Sequence, residues 1–441
     1  MINFDFNFQR YTQYVENNSF YSIAGKVTQV IGLTIIVQGI KSFVGEVCEI
    51  LLDDKGQKSV IAEVVGFKGQ QVLLMPLGDL KGVGSGCKVI PTGKILTIPV
   101  GDQLLGRILD GLGNPMDGEL APLKKHYSVE RTPPNPLKRK RISCIMPTGV
   151  KAIDGLLTCG EGQRVGIFAG SGVGKSTLLG MISRYCEADV NVIALIGERG
   201  REVRDFIEKD LGEEGLKKSV IVCATSDQPA LIRIKGAYVA TTIAEYFRDK
   251  GKKVMLMMDS VTRFAMAKRE VGLAIGEPPA TKGYTPSVFA ELPKLLERSG
   301  TSENGSITAF YTVLVDGDDM NEPISDAVRG ILGGHIVLSR KLAAQNHFPA
   351  IDVQQSISRL AKEIITKEQD QYAGEIRNTM AVYEKSEDLI NIGAYAKGSN
   401  PKIDRAIALN GPINEFLMQD VNEKAYISDT VKSMADILNK N

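Results

Sequence analysis

The chain has 441 residues, 43% hydrophobic and 24% charged, which is ordinary globular composition with material for a sizeable core and, at about 150 residues per domain, length for roughly three domains. Lys and Arg number 53 against 52 Asp and Glu, so a net charge of +1 offers no whole-chain attraction to nucleic acid or an anionic membrane. The longest apolar runs, Val190–Ile196 and Val254–Met258, fall far short of the roughly 20 residues of a membrane-spanning helix, and MINFDFNFQRY lacks the pattern of a secretion signal, so a cytosolic protein is expected.

In chain order, residues 1–20 carry Phe4, Phe6, Phe8, Tyr11 and Tyr14 among Asn and Gln, too polar for a core but aromatic enough to dock on a partner; a disordered start is the alternative. Residues 21–92 are short β-branched runs punctuated by glycine, such as LTIIVQG and SVIAEVVGF, and predict a small β-barrel. GDQLLGRILDGLGNPMDG (101–118) is dense in turn-formers and reads as a linker, with KRKR (138–141) as a solvated loop rather than a nucleic-acid patch. From Gly149, apolar strands alternate with helical segments (RVGIFAG, STLLGMISRYCEA, VNVIALIG and onward to KKVMLMMD), which implies right-handed crossovers and a mostly parallel sheet covered on both faces. Residues 93–365 are expected to form this α/β domain. After about Thr366 strand signals stop, so residues 366–441 are expected to be an α-helical domain. Six cysteines are scattered without a C-x-x-C pair and only three histidines occur, so metal-ligand spacing is absent and free thiols are expected.

The chemistry concentrates where the strand RVGIFAG runs into AGSGVGKST (169–177) and a helix. Gly170, Gly172 and Gly174 let backbone N–H groups surround phosphate oxygens, and a helix beginning near Lys175 adds its positive end. Lys175 would reach the β and γ phosphates and Ser176 would bind Mg²⁺. A strict P-loop begins with glycine where this chain has Ala169, a position that mainly has to be small. Met255–Met258 deliver Asp259 to the end of a buried strand, where a carboxylate can hold a Mg²⁺ water shell or merely cap a helix. Glu198, in GERGREV at the end of another strand, is placed to polarise an attacking water; on spacing alone Arg199, Arg201 and Glu202 also suit surface ion pairs. His335 in GGHIVLSR reads as a packed or turn-satisfied histidine without chemistry.

These stretches, with LGRILDGLGNPMDG, MMDSVTRFAMAKREVGLAIGEPPATKGYTPSVFAELPKLLERSG and VDGDDMNEPISDAVRGILGGHIVLSRKLAAQNHFPAID, resemble the hexameric ATPases related to the rotary ATP synthase catalytic subunit, and among them the type III protein-export ATPases. The resemblance covers roughly residues 20 to 420, and GDDMNEP resembles the bacterial flagellar branch more than the virulence injectisome branch. It implies a six-stranded β-barrel, a RecA-like nucleotide domain and a C-terminal helical domain, assembled as a homohexamer with ATP and Mg²⁺ between subunits. It places Gly170, Ser171, Gly172, Val173, Gly174, Lys175, Ser176 and Thr177 around the nucleotide, with Ser176 and Asp259 on the metal. It makes Glu198 the catalytic carboxylate with Arg199 beside it, sets Arg263 near the γ phosphate, and has Arg359 inserted into a neighbour's site as a finger. Phe348 matches an aromatic that stacks on adenine, although relatives often carry Tyr there. KGYTPSVFAELPKLLERSG (282–300) resembles the inner loop facing the ring pore.

The resemblance further implies a dimeric regulatory, stalk-like export protein bound at the N-terminal segment, a coiled-coil central stalk, export-gate membrane proteins, export chaperone–substrate complexes, and a cytoplasmic place at the periphery of the inner-membrane export apparatus. An RNA motor of the transcription-terminator kind would need base-stacking aromatics in the barrel, where only Phe43 and Phe67 occur between Gly25 and Pro91, so no nucleic-acid partner is expected. A catalytic subunit of a proton- or sodium-driven ATP synthase would share the chemistry and differ in partners.

Overall fold

Six short strands close into a barrel: β1 (Gly25–Ile31), β2 (Thr34–Gln38), β3 (Glu46–Leu51), β4 (Ser59–Lys68), β5 (Gln71–Pro76) and β6 (Lys88–Ile95), in the order β1-β2-β5-β4-β3-β6. The computed structural model describes residues 23–53, 57–315, 317 and 319–439, together with residues 8, 11 and 12. Alternation decides the barrel core: along β3 every second residue is buried, and Cys48 and Ile50 meet Val27, Ile35, Val64 and Leu74 inside. Closure leaves no free edge for pairing with another chain. Of the N-terminal aromatics, Phe8 and Tyr11 are exposed, whereas Phe4, Phe6 and Tyr14 lie outside the described residues.

A second body runs from Thr97 to the end. Its nine-stranded sheet comprises β8 (Ile108–Asp110), β10 (Arg164–Ala169), β11 (Val190–Ile196), β12 (Ser219–Ala224), β13 (Lys253–Asp259), β14 (Gly300–Thr301), β15 (Ser306–Leu314), β16 (Gly334–Leu338) and β17 (Ile351–Ser358). The main order is β17-β16-β10-β15-β13-β11-β12-β8, with β14 pairing β15. β14 and β17 are antiparallel and the remaining pairings parallel. Every residue of β11 and β12 is buried, as a sheet covered on both faces requires.

Two segments depart from the sequence reading. The stretch read as a linker supplies a strand, because Ile108–Asp110 pairs with β12 at the sheet edge, and Thr97–Val100 (β7) with Lys125–Ser128 (β9) makes a separate two-stranded ribbon. Within KRKR, Lys138, Lys140 and Arg141 are exposed as expected, but Arg139 turns inward. Its guanidinium donates to the backbone carbonyls of Glu297 and Ser299, past the end of the helix Pro286–Leu296, where carbonyls lack partners within the helix.

Helix Ala230–Asp249 is buried along nearly its whole length. It carries Glu245, which accepts two hydrogen bonds from the fully buried Arg298, at 2.9 and 2.8 Å. Two further Arg298 hydrogen bonds go to the Val129 carbonyl and the Thr242 hydroxyl, so four of its five N–H groups are engaged, close to the condition under which a buried ion pair is tolerated. The C-terminal helices Lys367–Asn391, Pro401–Leu417 and Ile427–Leu438 share one core with the sheet through Ile376, Leu409, Ile413 and Met434. Buried Gln369 donates to Thr158 Oγ1 and the Asp154 carbonyl, and Gln419 donates to the Gly149 carbonyl while its own side-chain oxygen accepts from Lys151 N. All six cysteines are free thiols, four of them buried.

Candidate active site

The parallel sheet sets the site because β10, β13 and β11 end at the same edge. Ala169 ends β10, the loop 170–174 follows, and helix Lys175–Tyr185 begins at once. Gly172 and Gly174 have φ of +78° and +86°, left-handed values that a side chain would strain, and Gly174 sits at the helix N-cap. A Cβ on Gly170 would come within 2.7 Å of the Arg340 guanidinium, so that side chain lies against the loop. In this loop Val173 is buried, Thr177 half-buried, and Ser171 and Ser176 exposed.

Register brings the acids to Lys175. Leu195 of β11 stands opposite Asp259 of β13, so Glu198, just beyond β11, falls at the same edge. The Lys175 ammonium lies 2.5 Å from Asp259 Oδ1 and 3.4 Å from Glu198 Oε1. Burial opposes the Lys175 charge, but Asp259 and Glu198 outweigh it and hold its pKa above the ordinary lysine value. For Glu198, burial and then the Asp259 charge push the carboxyl up to about 7, against the pull of Lys175. The Thr312 hydroxyl donates to Asp259 Oδ1 at 2.7 Å. Ser176, Glu198 and Asp259 line one small cleft with Phe206 and Glu202.

The remaining residues singled out in the sequence divide. Arg263, on helix Val261–Ala274, packs its stem where a Cβ on Gly197 would stand, 2.8 Å away, next to Glu198. The Phe348 ring lies against the loop, 3.5 Å from the Cβ position of Gly174, and Phe348 is 39% exposed. Arg199 points to solvent and pairs with Glu202 at 3.0 Å. Arg359 is not brought to Lys175 within the chain. Ser358 pairs with Gly334 at the amino end of β16, whereas the loop follows the carboxyl end of β10, so site and arginine occupy opposite rims of the sheet. His335 donates to the Gln355 carbonyl at 3.0 Å and packs edge-on against Phe168, a satisfied histidine.

Thr312 and Arg340 were missed. Thr312 reaches the site from β15, and Arg340 from the start of the short helix Arg340–Ala344 that follows β16, both distant in sequence from the loop.

The arrangement fits an anionic ligand with a divalent cation. No side chain caps the helix at Gly174, so its first N–H groups have no side-chain acceptor. Arg263 Nε is buried without a hydrogen-bond partner among the described residues. No group of three or more His, Cys, Asp or Glu able to hold a metal occurs among the described residues. A Mg²⁺ ion here would therefore rest on Ser176, Asp259, water and substrate phosphate, which is how this ion is commonly held.

Comparison with known proteins identifies the domains in which these residues lie. The nucleotide-binding domain of the ATP synthase alpha/beta family matches residues 149–358, and the beta-barrel domain of that family matches residues 27–93. The T3SS EscN ATPase C-terminal domain matches residues 365–436. A flagellum-specific ATP synthase of Bacillus subtilis (strain 168) is 56% identical across 96% of this chain and 97% of its own length. The chain belongs to the ATP synthase alpha/beta family, in its flagellar and type III secretion branch. It is an ATPase of that branch, and the P-loop and carboxylates described above lie within the matched nucleotide-binding domain. The assembled ATPase EscN of the enteropathogenic E. coli type III secretion system superposes with a TM-score of 0.89 at 48% identity, covering 94% of this chain and 100% of EscN. EscN in complex with its central stalk EscO superposes with a TM-score of 0.86 at 47% identity, covering 94% of this chain and 100% of that one. The chain is thus similar in sequence to a flagellar relative and in fold to a type III secretion ATPase.

Glu198 supplies a pH signature. A carboxyl raised to about 7 is ionised, and able to accept a proton, only above that value. kcat/KM for ATP is therefore expected to be full on the alkaline side and to fall about tenfold per unit as pH drops below neutrality. A profile that stays flat down to pH 5 would remove Glu198 from the role of base.

Proposed function

We propose that this chain hydrolyses Mg-ATP in a homohexameric ring and thereby drives delivery and unfolding of proteins exported through the bacterial flagellar type III apparatus. The observation that carries the chemistry is Lys175 held between Asp259 and Glu198 at the mouth of an uncapped P-loop.

Each group has a physical task. Lys175 exchanges its carboxylate contacts for the β and γ phosphates, placing a fixed cation where charge develops. Loop N–H groups from Gly170 to Ser176, with Thr177 behind them, cradle the phosphates, and the Phe348 ring offers an apolar face for the base. Glu198 takes a proton from the attacking water, and Arg263, with its unpartnered Nε, faces the anion. Mg²⁺ held by Ser176 and Asp259 would neutralise phosphate charge. Arg359, on the far rim of its own sheet, serves the site of the adjoining subunit. Arg199, paired with Glu202 and exposed, fits a role only at that same interface.

The central-stalk complex of EscN supports a coiled-coil stalk in the pore, facing residues 282–300. The segment 1–20 is assigned to a dimeric regulatory export protein, and export-gate proteins and chaperone–substrate complexes complete the partners. No helix among the described residues is long and apolar enough to cross a membrane, which suits a cytoplasmic ATPase peripheral to the inner-membrane apparatus. Service in an injectisome is the second reading, favoured by the EscN superposition.

Replacing the chromosomal copy with Lys175→Ala separates them. Flagellar proteins should then accumulate inside cells and motility should be lost. Normal flagella with a loss of secreted effectors would establish the injectisome reading, and unchanged ATP hydrolysis by the purified variant would overturn the P-loop assignment.

A further inference from the structure

We propose that Thr312 is a positioning residue for Asp259, its hydroxyl holding that carboxylate in one orientation while Lys175 changes partners. The proposal rests on the reading of the cleft as a Mg-ATP site.

β13 and β15 are parallel neighbours with Met258 opposite Tyr311, so Thr312 stands beside Asp259. Thr312 is fully buried and Asp259 is 4% exposed, so bulk water does not reach the Thr312 side of the carboxylate. The hydroxyl has two acceptors in range, Asp259 Oδ1 at 2.7 Å and the Met258 carbonyl at 3.3 Å. It has one hydrogen, and the shorter contact takes it. Oδ1 also receives Lys175, while Oδ2 receives no protein donor among the described residues.

That asymmetry matters during turnover. When Lys175 turns to the phosphates, Oδ1 loses one of two donors, and the Thr312 hydroxyl is the protein donor that remains. The terminal torsion of an aspartate is broad, so a carboxylate without a donor would spread over orientations. Groups that orient a metal-holding carboxylate in this way are worth about 10- to 100-fold in metal affinity or activity. A β-branched filler in a buried strand would look the same by shape alone, and Thr312→Val separates the two because it keeps the shape and removes the donor.

The experiment uses the full-length protein and a fluorescent ATP analogue, bound first in EDTA and then during a Mg²⁺ titration. Thr312→Val should bind the analogue in EDTA as the unmodified protein does, yet need about 10- to 100-fold more Mg²⁺ to reach half of the metal-dependent gain in affinity. Thr312→Ser, which keeps the hydroxyl, should restore the response. Thr312→Ala lacks the donor with a smaller side chain and provides the same comparison should the Val variant fail to fold. A donor-free variant with the unmodified Mg²⁺ response overturns the proposal, and so does a Ser variant shifted as far as Ala, since side-chain volume would then be the cause. An unmodified protein whose affinity ignores Mg²⁺ overturns the Mg-ATP reading itself, an outcome visible before any variant is compared.

Discussion

Arg359→Ala is expected to bind ATP almost as well as the unmodified protein and to hydrolyse it about 10³- to 10⁵-fold more slowly, the range for arginines that meet transition-state charge. The structure gives the reason for assigning it to a neighbour. Its backbone N–H bonds to Gly333 and, among the described residues, its guanidinium makes one hydrogen bond, a 3.5 Å contact with the Arg329 carbonyl, on the rim of the sheet away from the P-loop. No fold-preserving motion of the side chain carries it across the sheet to Lys175 of the same chain. If Arg359 served only as a surface contact, its removal would cost at most about 1 kcal/mol of stability and leave turnover alone. Mixed rings decide the matter: Arg359→Ala subunits retain an intact phosphate site and Lys175→Ala subunits an intact finger. Activity recovered from two inactive variants is the expected result, and none in demonstrably mixed rings would refute the assignment.

Glu198→Gln should show the complementary behaviour, with ATP binding retained and turnover reduced about 10²- to 10⁴-fold, the usual contribution of a positioned base. The amide keeps the shape of the side chain and is a poor proton acceptor. Lys175 keeps its closer partner, since Asp259 lies 2.5 Å away against 3.4 Å for Glu198, so the phosphate site should not collapse. The variant should also lose the fall in kcat/KM below neutrality, because the group that titrates near 7 is gone. Single-turnover hydrolysis with a parallel binding measurement tests both parts. Near-normal turnover would reduce Glu198 to a member of a structural ion pair.

Of these two residues, Glu198 is legible in the sequence for a physical reason, whereas Arg359 is singled out only by the family resemblance. Gly172, Gly174 and Lys175 are legible because positive φ and a lysine at a helix start are backbone demands that few residue types meet. Asp259 and Glu198 are legible because each ends an apolar run, and a parallel sheet brings such ends to one edge. The same logic could not reach Thr312 or Arg340, whose roles depend on which distant strand lies beside β13 or β10. Periodicity identifies strands but not their lateral order. The turn-rich stretch 101–118 concealed β8 because three paired residues are too few for a periodic signal. Arg139 was read as solvated because a run of four basic residues does not show that one of them faces the carbonyls at a helix end 158 positions away.

The bonds made by Gln419 bear on how the protein comes into being on the ribosome. Its side chain ties to Gly149 and Lys151, and its backbone N–H to the carbonyl of Phe348, the residue beside the phosphate loop. These partners lie 270 and 268 positions back along the chain for the side-chain bonds. Leu409, Ile413 and Met434 likewise fill a core begun by Val150 and Ile153. Residues 25–95 close the barrel among themselves, so that unit can form while most of the chain is still unmade. The nucleotide body cannot complete this core until Met434 has been added, and long-range closure of this kind is slow. The interval leaves Val150 and Ile153 without these C-terminal partners in a nascent chain, a natural client for chaperones, and a stop codon ahead of Leu409 would remove all three of those core residues.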